Sequence, residues 1–202
     1  MITNFAEKIE IFQFELHERN ILMRIGHKNK PNKIYDTLIN IIREEKEKLK
    51  SLLYAAAVYK ILDYSETNHH PIFKNADKVA LTICTIGQDI ESESTRLMKK
   101  NEVLRGLVLD ALGSEAAEEA AEQVDKRLCE KARIMDLWPS RRFSPGYKNW
   151  DIKEQKYIFQ ILPAGDIGVR LTKSYMMVPR KSVSFRINFY RDKKLSKRKI
   201  NI

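Results

Sequence analysis

The segment Glu102–Arg133, EVLRGLVLDALGSEAAEEAAEQVDKRLCEKAR, decides the fold. Leu104, Leu107, Val108, Ala111 and Leu112, and then Ala116, Ala120, Val124 and Leu128, recur at the spacing of one helical face. The pattern predicts a single long helix. Gly113, Ser114 and the alanines that follow make its middle small, so that another backbone or a ligand can approach closely. Glu115, Glu118, Glu119 and Glu122 share a face and read as a solvated stripe, with Glu118 beside the small patch.

Outward from this helix the pattern changes period. Val79, Leu81 and Ile83 alternate with Lys78 and Thr82, predicting a strand over Lys78–Thr85. The turn Ile86-Gly87-Gln88-Asp89 then starts a helix through Lys99. Val169–Leu171 and Ser182–Tyr190 read as strands that close the sheet around the corner Pro179-Arg180-Lys181, and Leu52–Leu62 reads as a buried strand. Ile9–Leu16 alternates as an edge strand would. Asn20–Ile25 is a short helical turn ending at Gly26, followed by a loop over 27–32. Asn32–Lys50 has helical periodicity, with Glu45 and Lys48 on its charged outer face, and Asp151 caps a helix over Ile152–Leu162. Together these elements predict an α+β fold, one domain with a mostly antiparallel central sheet flanked by helices. The domain is expected to span residues 1–192, with a basic tail over 193–202.

The chain has 202 residues, 43% hydrophobic and 32% charged, enough apolar material for a core and too much for disorder. Its formal net charge is +10. Part of the excess lies in the last segment, in Arg186, Arg191, Lys193, Lys194, Lys197, Arg198 and Lys199 against the single acid Asp192, read as a solvated, frayed terminus rather than a nucleic-acid contact. Cys84 and Cys129 read as reduced, buried thiols, no apolar run reaches membrane-span length, and residues 1–8 do not resemble a signal peptide. A cytoplasmic protein is expected.

Several chemistries lack their motifs. There is no Gly-x-Gly, no P-loop, no Cys-x-x-Cys, no His-Glu-x-x-His and no Asp-x-His-x-x-Gly cobalamin-carrier pattern. His69-His70 reads as a polar surface loop rather than a metal site, and no nucleophile–base arrangement can be assembled. What remains is Arg142-Phe143-Ser144-Pro145-Gly146-Tyr147. A guanidinium can grip a carboxylate with two parallel hydrogen bonds. Pro-Gly suits a tight turn, and Tyr147 offers a ring and a hydroxyl. The bland alternative is an Arg-capped surface turn with Tyr147 packed on the core.

The chain resembles the activation (reactivation) domain of cobalamin-dependent methionine synthase, from about Ile21 to Asp192. The landmarks, in order, are Thr85-Ile86-Gly87, Leu109-Asp110-Ala111-Leu112-Gly113-Ser114, the loop Arg142–Tyr147, Leu171–Pro179, and Ser182-Val183-Ser184. The resemblance implies a C-shaped molecule and an S-adenosylmethionine site lined by Arg142, Ser144, Gly146 and Tyr147. It also places an acid of the preceding helix in that site, at Glu118. It implies no catalytic residue and no metal ligand in this chain. In such systems an inactive cob(II)alamin is restored by one electron and the methyl of S-adenosylmethionine, so no proton need be moved and positioning is the protein's task.

With no carrier motif of its own, the chain is expected to act on cobalamin carried by a separate methionine synthase lacking this domain. A flavodoxin- or ferredoxin-type electron donor is also implied. The competing readings are a regulator that binds S-adenosylmethionine or a corrinoid without turnover, and a nucleic-acid-binding module using the basic C-terminus.

Overall fold

Val79, Leu81 and Ile83 point to one side of their strand and Ala80 and Cys84 to the other, and all five are buried, so the segment Lys78–Thr85 is covered on both faces. The structure, a computed structural model, describes residues 5–27, 33–67, 70–147 and 149–198. In chain order, β1 (Glu7–Ile9), α1 (Glu18–Arg24) and α2 (Lys33–Leu52) precede β2 (Ala56–Asp63) and β3 (Lys78–Thr85). Helices α3 (Asp89–Lys99) and α4 (Val103–Ile134) lead to β4 (Trp138–Pro139) and α5 (Gln155–Ile161). The chain continues through β5 (Arg170–Leu171), β6 (Met177–Val178) and β7 (Ser182–Tyr190) to a short α6 (Lys193–Ser196).

The main sheet is antiparallel with strand order β1-β2-β3-β7-β4. This is the α+β, single-domain architecture that the periodicities predict. One face of the sheet packs against α4 through Ala121, Val124, Leu128 and Ala132. The other face, with Val79, Leu81 and Ile83, packs against Phe73, Trp150 and Ile158. A third apolar cluster joins α1, α2 and α3 to the first half of α4. The long helix, 32 residues and therefore ~48 Å at 1.5 Å per residue, belongs to both the helical layer and the sheet layer.

Close approach makes this dual membership workable. A methyl group at Gly106 would lie 2.8 Å from the Ser94 carbonyl oxygen and 2.7 Å from Met98 Cγ, so α3 and α4 meet where a side chain has no room. Ser94 Oγ donates to the Gly106 carbonyl at 2.8 Å across the same contact. Helix α2 is docked by a buried acid. Glu45, expected on the solvated face, is fully buried and accepts from Arg105 of α4 at 2.6 Å and from Lys48 at 2.8 Å.

Several elements differ from the sequence reading, each for a physical reason. The alternating stretch Ile9–Leu16 leaves the sheet after Ile9, because α4 side chains take over its backbone hydrogen bonds. Gln123 Oε1 accepts from the Gln13 N–H at 3.2 Å and Glu119 Oε1 from the Glu15 N–H at 2.9 Å. β2 starts only at Ala56, since α2 runs on to Leu52. Residues Ile152–Glu154 form a 3₁₀ turn before α5, with the Asp151 carboxylate accepting from the Lys153 N–H as a cap.

Arg170–Leu171 pairs locally with β6 in a separate two-stranded ribbon and does not join the main sheet. β4 is an edge strand with no counterpart in the reading. His70 packs between Phe73 and Tyr157 and meets Glu154 Oε2 at 2.9 Å, so it is partly buried rather than a free loop residue. His69, the stretch 28–32, residues 1–4 and Lys199 lie outside the described residues. Among the described residues no helix is long and apolar enough to cross a membrane.

The C-terminal segment, expected to be frayed, packs on the domain as far as Arg198. Ser196 Oγ donates to the Pro139 carbonyl at 2.6 Å, and Lys193 sits over the Trp138 ring at 4.6 Å. The Arg198 guanidinium grips both oxygens of Asp125, a buried acid of α4, at 3.0 and 2.5 Å.

Two stability outcomes are expected. Gly106→Ala should overpack the α3–α4 contact and lower the unfolding free energy by about 1–3 kcal/mol. Arg198→Ala should strand the Asp125 carboxylate and cost about 3 kcal/mol, whereas a frayed terminus would make it silent. Urea denaturation of both variants checks each figure.

Candidate functional site

The site is assembled along the outer edge of β7. On its inner side this strand pairs with β3 over its length, from Ser182↔Thr85 to Phe189↔Lys78. On its outer side β4 covers only Phe189 and Tyr190, and Phe143 forms one further bridge. The Phe143 N–H donates to the Arg186 carbonyl at 3.0 Å and the Arg186 N–H to the Phe143 carbonyl at 2.9 Å. Between these points the Ser140 N–H donates to the Asn188 carbonyl at 2.7 Å, and Ser140 Oγ accepts from the Asn188 N–H at 3.0 Å. The chain therefore follows β7 from Trp138 to Phe143 and then turns away. The edge over Ser182–Phe185 has no strand partner among the described residues.

The departure is a β-turn at Ser144-Pro145-Gly146-Tyr147. Proline presets φ at the second position, Gly146 takes φ +89° at the third, and the Tyr147 N–H points back to the Ser144 carbonyl at 3.4 Å. Any other residue at 146 would be strained by that φ, and its Cβ would press on Ile152 Cδ1 at 3.2 Å. Trp150, 2% exposed, anchors the loop. Its ring stacks on Phe143 with centroids 6.0 Å apart and meets Phe73 edge-on, while its carbonyl accepts the Gly146 N–H at 2.7 Å.

Arg142 points from this loop toward α4. Its Nη2 donates to Glu118 Oε2 at 2.8 Å, and its guanidinium lies over the Phe185 ring at 5.9 Å. Nη1 is buried and has no hydrogen-bond partner among the described residues. A desolvated N–H of a charged fork left unpaired is costly, and an incoming acceptor would relieve that cost. Burial pushes the thiol of Cys84 up to about 12, so it is neutral and inert at physiological pH.

Three glutamates of the predicted stripe on α4 take different parts. Glu115 accepts from Asn20 at 2.6 Å and from Arg24 at 2.7 Å, and Glu119 holds the Glu15 N–H, so these two pin the N-terminal segment rather than form a solvated stripe. Glu118, half-exposed, faces the loop.

Arg142, Ser144, Tyr147 and Glu118 all line one cavity of about 610 Å³, a volume that suits a small ligand. Gly146 shapes the turn and is absent from the lining. Tyr147 is 67% exposed and offers its ring to the opening, so it does not pack on the core. Leu195, Ser196 and Lys197 form another part of the wall, and Arg186 a further part. Sequence reasoning counted Arg186 and Lys197 in the basic C-terminal excess and gave none of the four a place in the site. Arg186 carried a signal, because Ser184, Arg186, Asn188 and Tyr190 form a polar stripe opposite Val183, Phe185, Ile187 and Phe189. Among the described residues the lining contains no histidine and no cysteine. The arrangement suits binding and orienting a ligand with a carboxylate and an aromatic part.

Comparison with known proteins bears on what this cavity is for. Among solved structures, the crystal structure of the MetH reactivation domain bound to AdoHcy superposes with a TM-score of 0.69. The match covers 93% of this chain and 79% of that one at 16% identity, a likeness of fold. Comparison with curated proteins brings up no match. A family model described as "Vitamin B12 dependent methionine synthase, activation domain" matches residues 4–192. The chain therefore belongs to the family of vitamin B12-dependent methionine synthase activation domains.

Proposed function

We propose that the chain binds S-adenosylmethionine in the cavity beside the Arg142–Tyr147 turn and presents its methyl group to a cobalamin carried by a separate methionine synthase that lacks this domain. The supporting observation is the convergence of Arg142, Glu118, Ser144 and Tyr147 on one cavity, in a chain of the activation-domain family. The structurally similar MetH domain is bound to AdoHcy, the demethylated form of the same ligand.

The residues present fit such a ligand. The orphaned Nη1 of Arg142 supplies a charged donor for the amino-acid carboxylate. Glu118 answers the ammonium group or the ribose hydroxyls. The exposed Tyr147 ring packs on the adenine or beside the sulfonium. Ser144 and Gly146 set the turn that holds Arg142 and Tyr147 in place.

When bound, S-adenosylmethionine supplies an electrophilic methyl group, and the nucleophile is the partner's cobalt after gain of one electron. This chain's part is orientation, which requires no acid–base pair. The net charge of +10 favours encounter with an acidic flavodoxin- or ferredoxin-type donor. A cytoplasmic location accompanies this reading, since Cys84 and Cys129 are both unpaired and buried.

Two outcomes test the proposal. Arg142→Ala should weaken S-adenosylmethionine binding tenfold or more by calorimetry, and Arg142→Lys should not restore it, because an ammonium lacks the planar fork. Unchanged affinity in the alanine variant would remove Arg142 from the site. In a reconstituted mixture of the cobalamin-loaded synthase, a one-electron reductant and S-adenosylmethionine, loss of the cob(II)alamin absorption should depend on this chain. Ligand binding without that conversion would instead mark a regulator without turnover.

A further inference from the structure

Arg186 presents an unanswered charge. It stands on β7, one position along from Phe185, so by strand parity its side chain leaves the opposite face of the sheet from the ring that carries Arg142. Its guanidinium is enclosed by three rings, with centroids 5.2 Å away in Phe143, 5.4 Å in Trp150 and 5.7 Å in Phe73. Nη1 donates to Asn188 Oδ1 at 2.6 Å, whereas Nε is buried and has no acceptor among the described residues.

Its surroundings contrast with those of the other largely enclosed arginines. Arg105 meets Glu44 and Glu45, and Arg198 meets Asp125. Arg186 has no carboxylate within ion-pair distance among the described residues. Burial lowers its pKa to about 10, which still leaves it charged at neutral pH. Aromatic faces offset part of the desolvation cost of a guanidinium but supply no acceptor for its N–H groups. An arginine kept for packing alone is usually paired with an acid, whereas this one lines the same cavity as Arg142, Glu118 and Tyr147.

We propose that Arg186 is a second anion-binding residue of this cavity and that it contacts the carboxylate of the amino-acid end of the ligand, alongside Arg142. The inference rests on the reading given under Proposed function and extends it. Arg142 is already engaged by Glu118, whereas Arg186 has no internal acid to displace. The two arginines leave opposite faces of the sheet, so the inference requires the ligand carboxylate to sit at the edge of β7, where both can reach it.

The test compares two ligands in calorimetry, S-adenosylhomocysteine and 5′-methylthioadenosine, which keeps the nucleoside and thioether but lacks the amino-acid end. Arg186→Met fills the aromatic enclosure with an unbranched apolar chain, and its folding is checked by thermal denaturation. The expected result is a tenfold or greater loss of S-adenosylhomocysteine affinity with 5′-methylthioadenosine affinity held within twofold. No loss, or an equal loss for both ligands, overturns the inference.

If the variant does not fold, the ¹⁵Nε–H signal of Arg186 in the unaltered protein decides. A shift with S-adenosylhomocysteine and not with 5′-methylthioadenosine supports the contact, and no shift or the same shift with both overturns it. Binding of S-adenosylhomocysteine that survives Arg186→Met overturns this inference alone. Failure of the unaltered protein to bind S-adenosylhomocysteine overturns the ligand reading as well.

Discussion

Helix α4 lies close against the rest of the molecule because Ala116, Ala117, Ala120 and Ala121 present almost no side chain to it, and each is buried. Larger residues would lift the helix away from the sheet and from the helical layer. The distance between α4 and the edge of β7 follows from this contact, and Glu118 projects from the same turn of helix as the alanines. Its meeting with Arg142 at 2.8 Å thus depends on residues that touch no ligand. The loop side is fixed independently by Trp150, whose carbonyl and ring hold the Pro-Gly turn.

The Arg142–Glu118 pair is an economical way to keep such a site ready. Both side chains are partly exposed, and ion pairs of that kind contribute only about 0–1 kcal/mol. A ligand that supplies its own carboxylate and ammonium can exchange with the pair at little loss. Meanwhile the pair holds the two side chains near their working positions, which lowers the ordering cost at binding. The orphaned Nη1 adds to this, because a partner for it is gained without breaking an existing bond.

How much of this was legible in the sequence follows from how local each determinant is. β3, β7, α3 and α4 have long, regular periodicities, and their observed ranges agree with the reading within a residue or two. The turn around Gly146 was legible because proline and glycine constrain the backbone directly. Ile9–Leu16 has strand alternation, yet side chains of α4, over a hundred residues away, capture its backbone, and no local pattern reports that. Val169–Leu171 was placed in the wrong sheet because pairing partners are not encoded in alternation. The C-terminal basic run looked solvated since Lys and Arg usually are, and only the fold brings the buried Asp125 to Arg198. Glu45 misled for the same reason, its partner Arg105 lying sixty residues on.

Charge also orders the cavity along its length. Arg141, Arg142, Arg186 and Lys197 line it against the single acid Glu118. Such an excess would repel a simple cation, and the proposed ligand carries a sulfonium and an ammonium as well as a carboxylate. The conflict is resolved by orientation, because a ligand with charges at separate points aligns in a field rather than being uniformly attracted or expelled. Under the proposed function, the carboxylate would be drawn to the arginines at the β7 edge and the positive groups toward Glu118 and the open face by Tyr147. In that orientation the sulfonium methyl would point out of the cavity, within reach of the proposed partner, and the same cationic surplus would favour an approaching surface that is acidic.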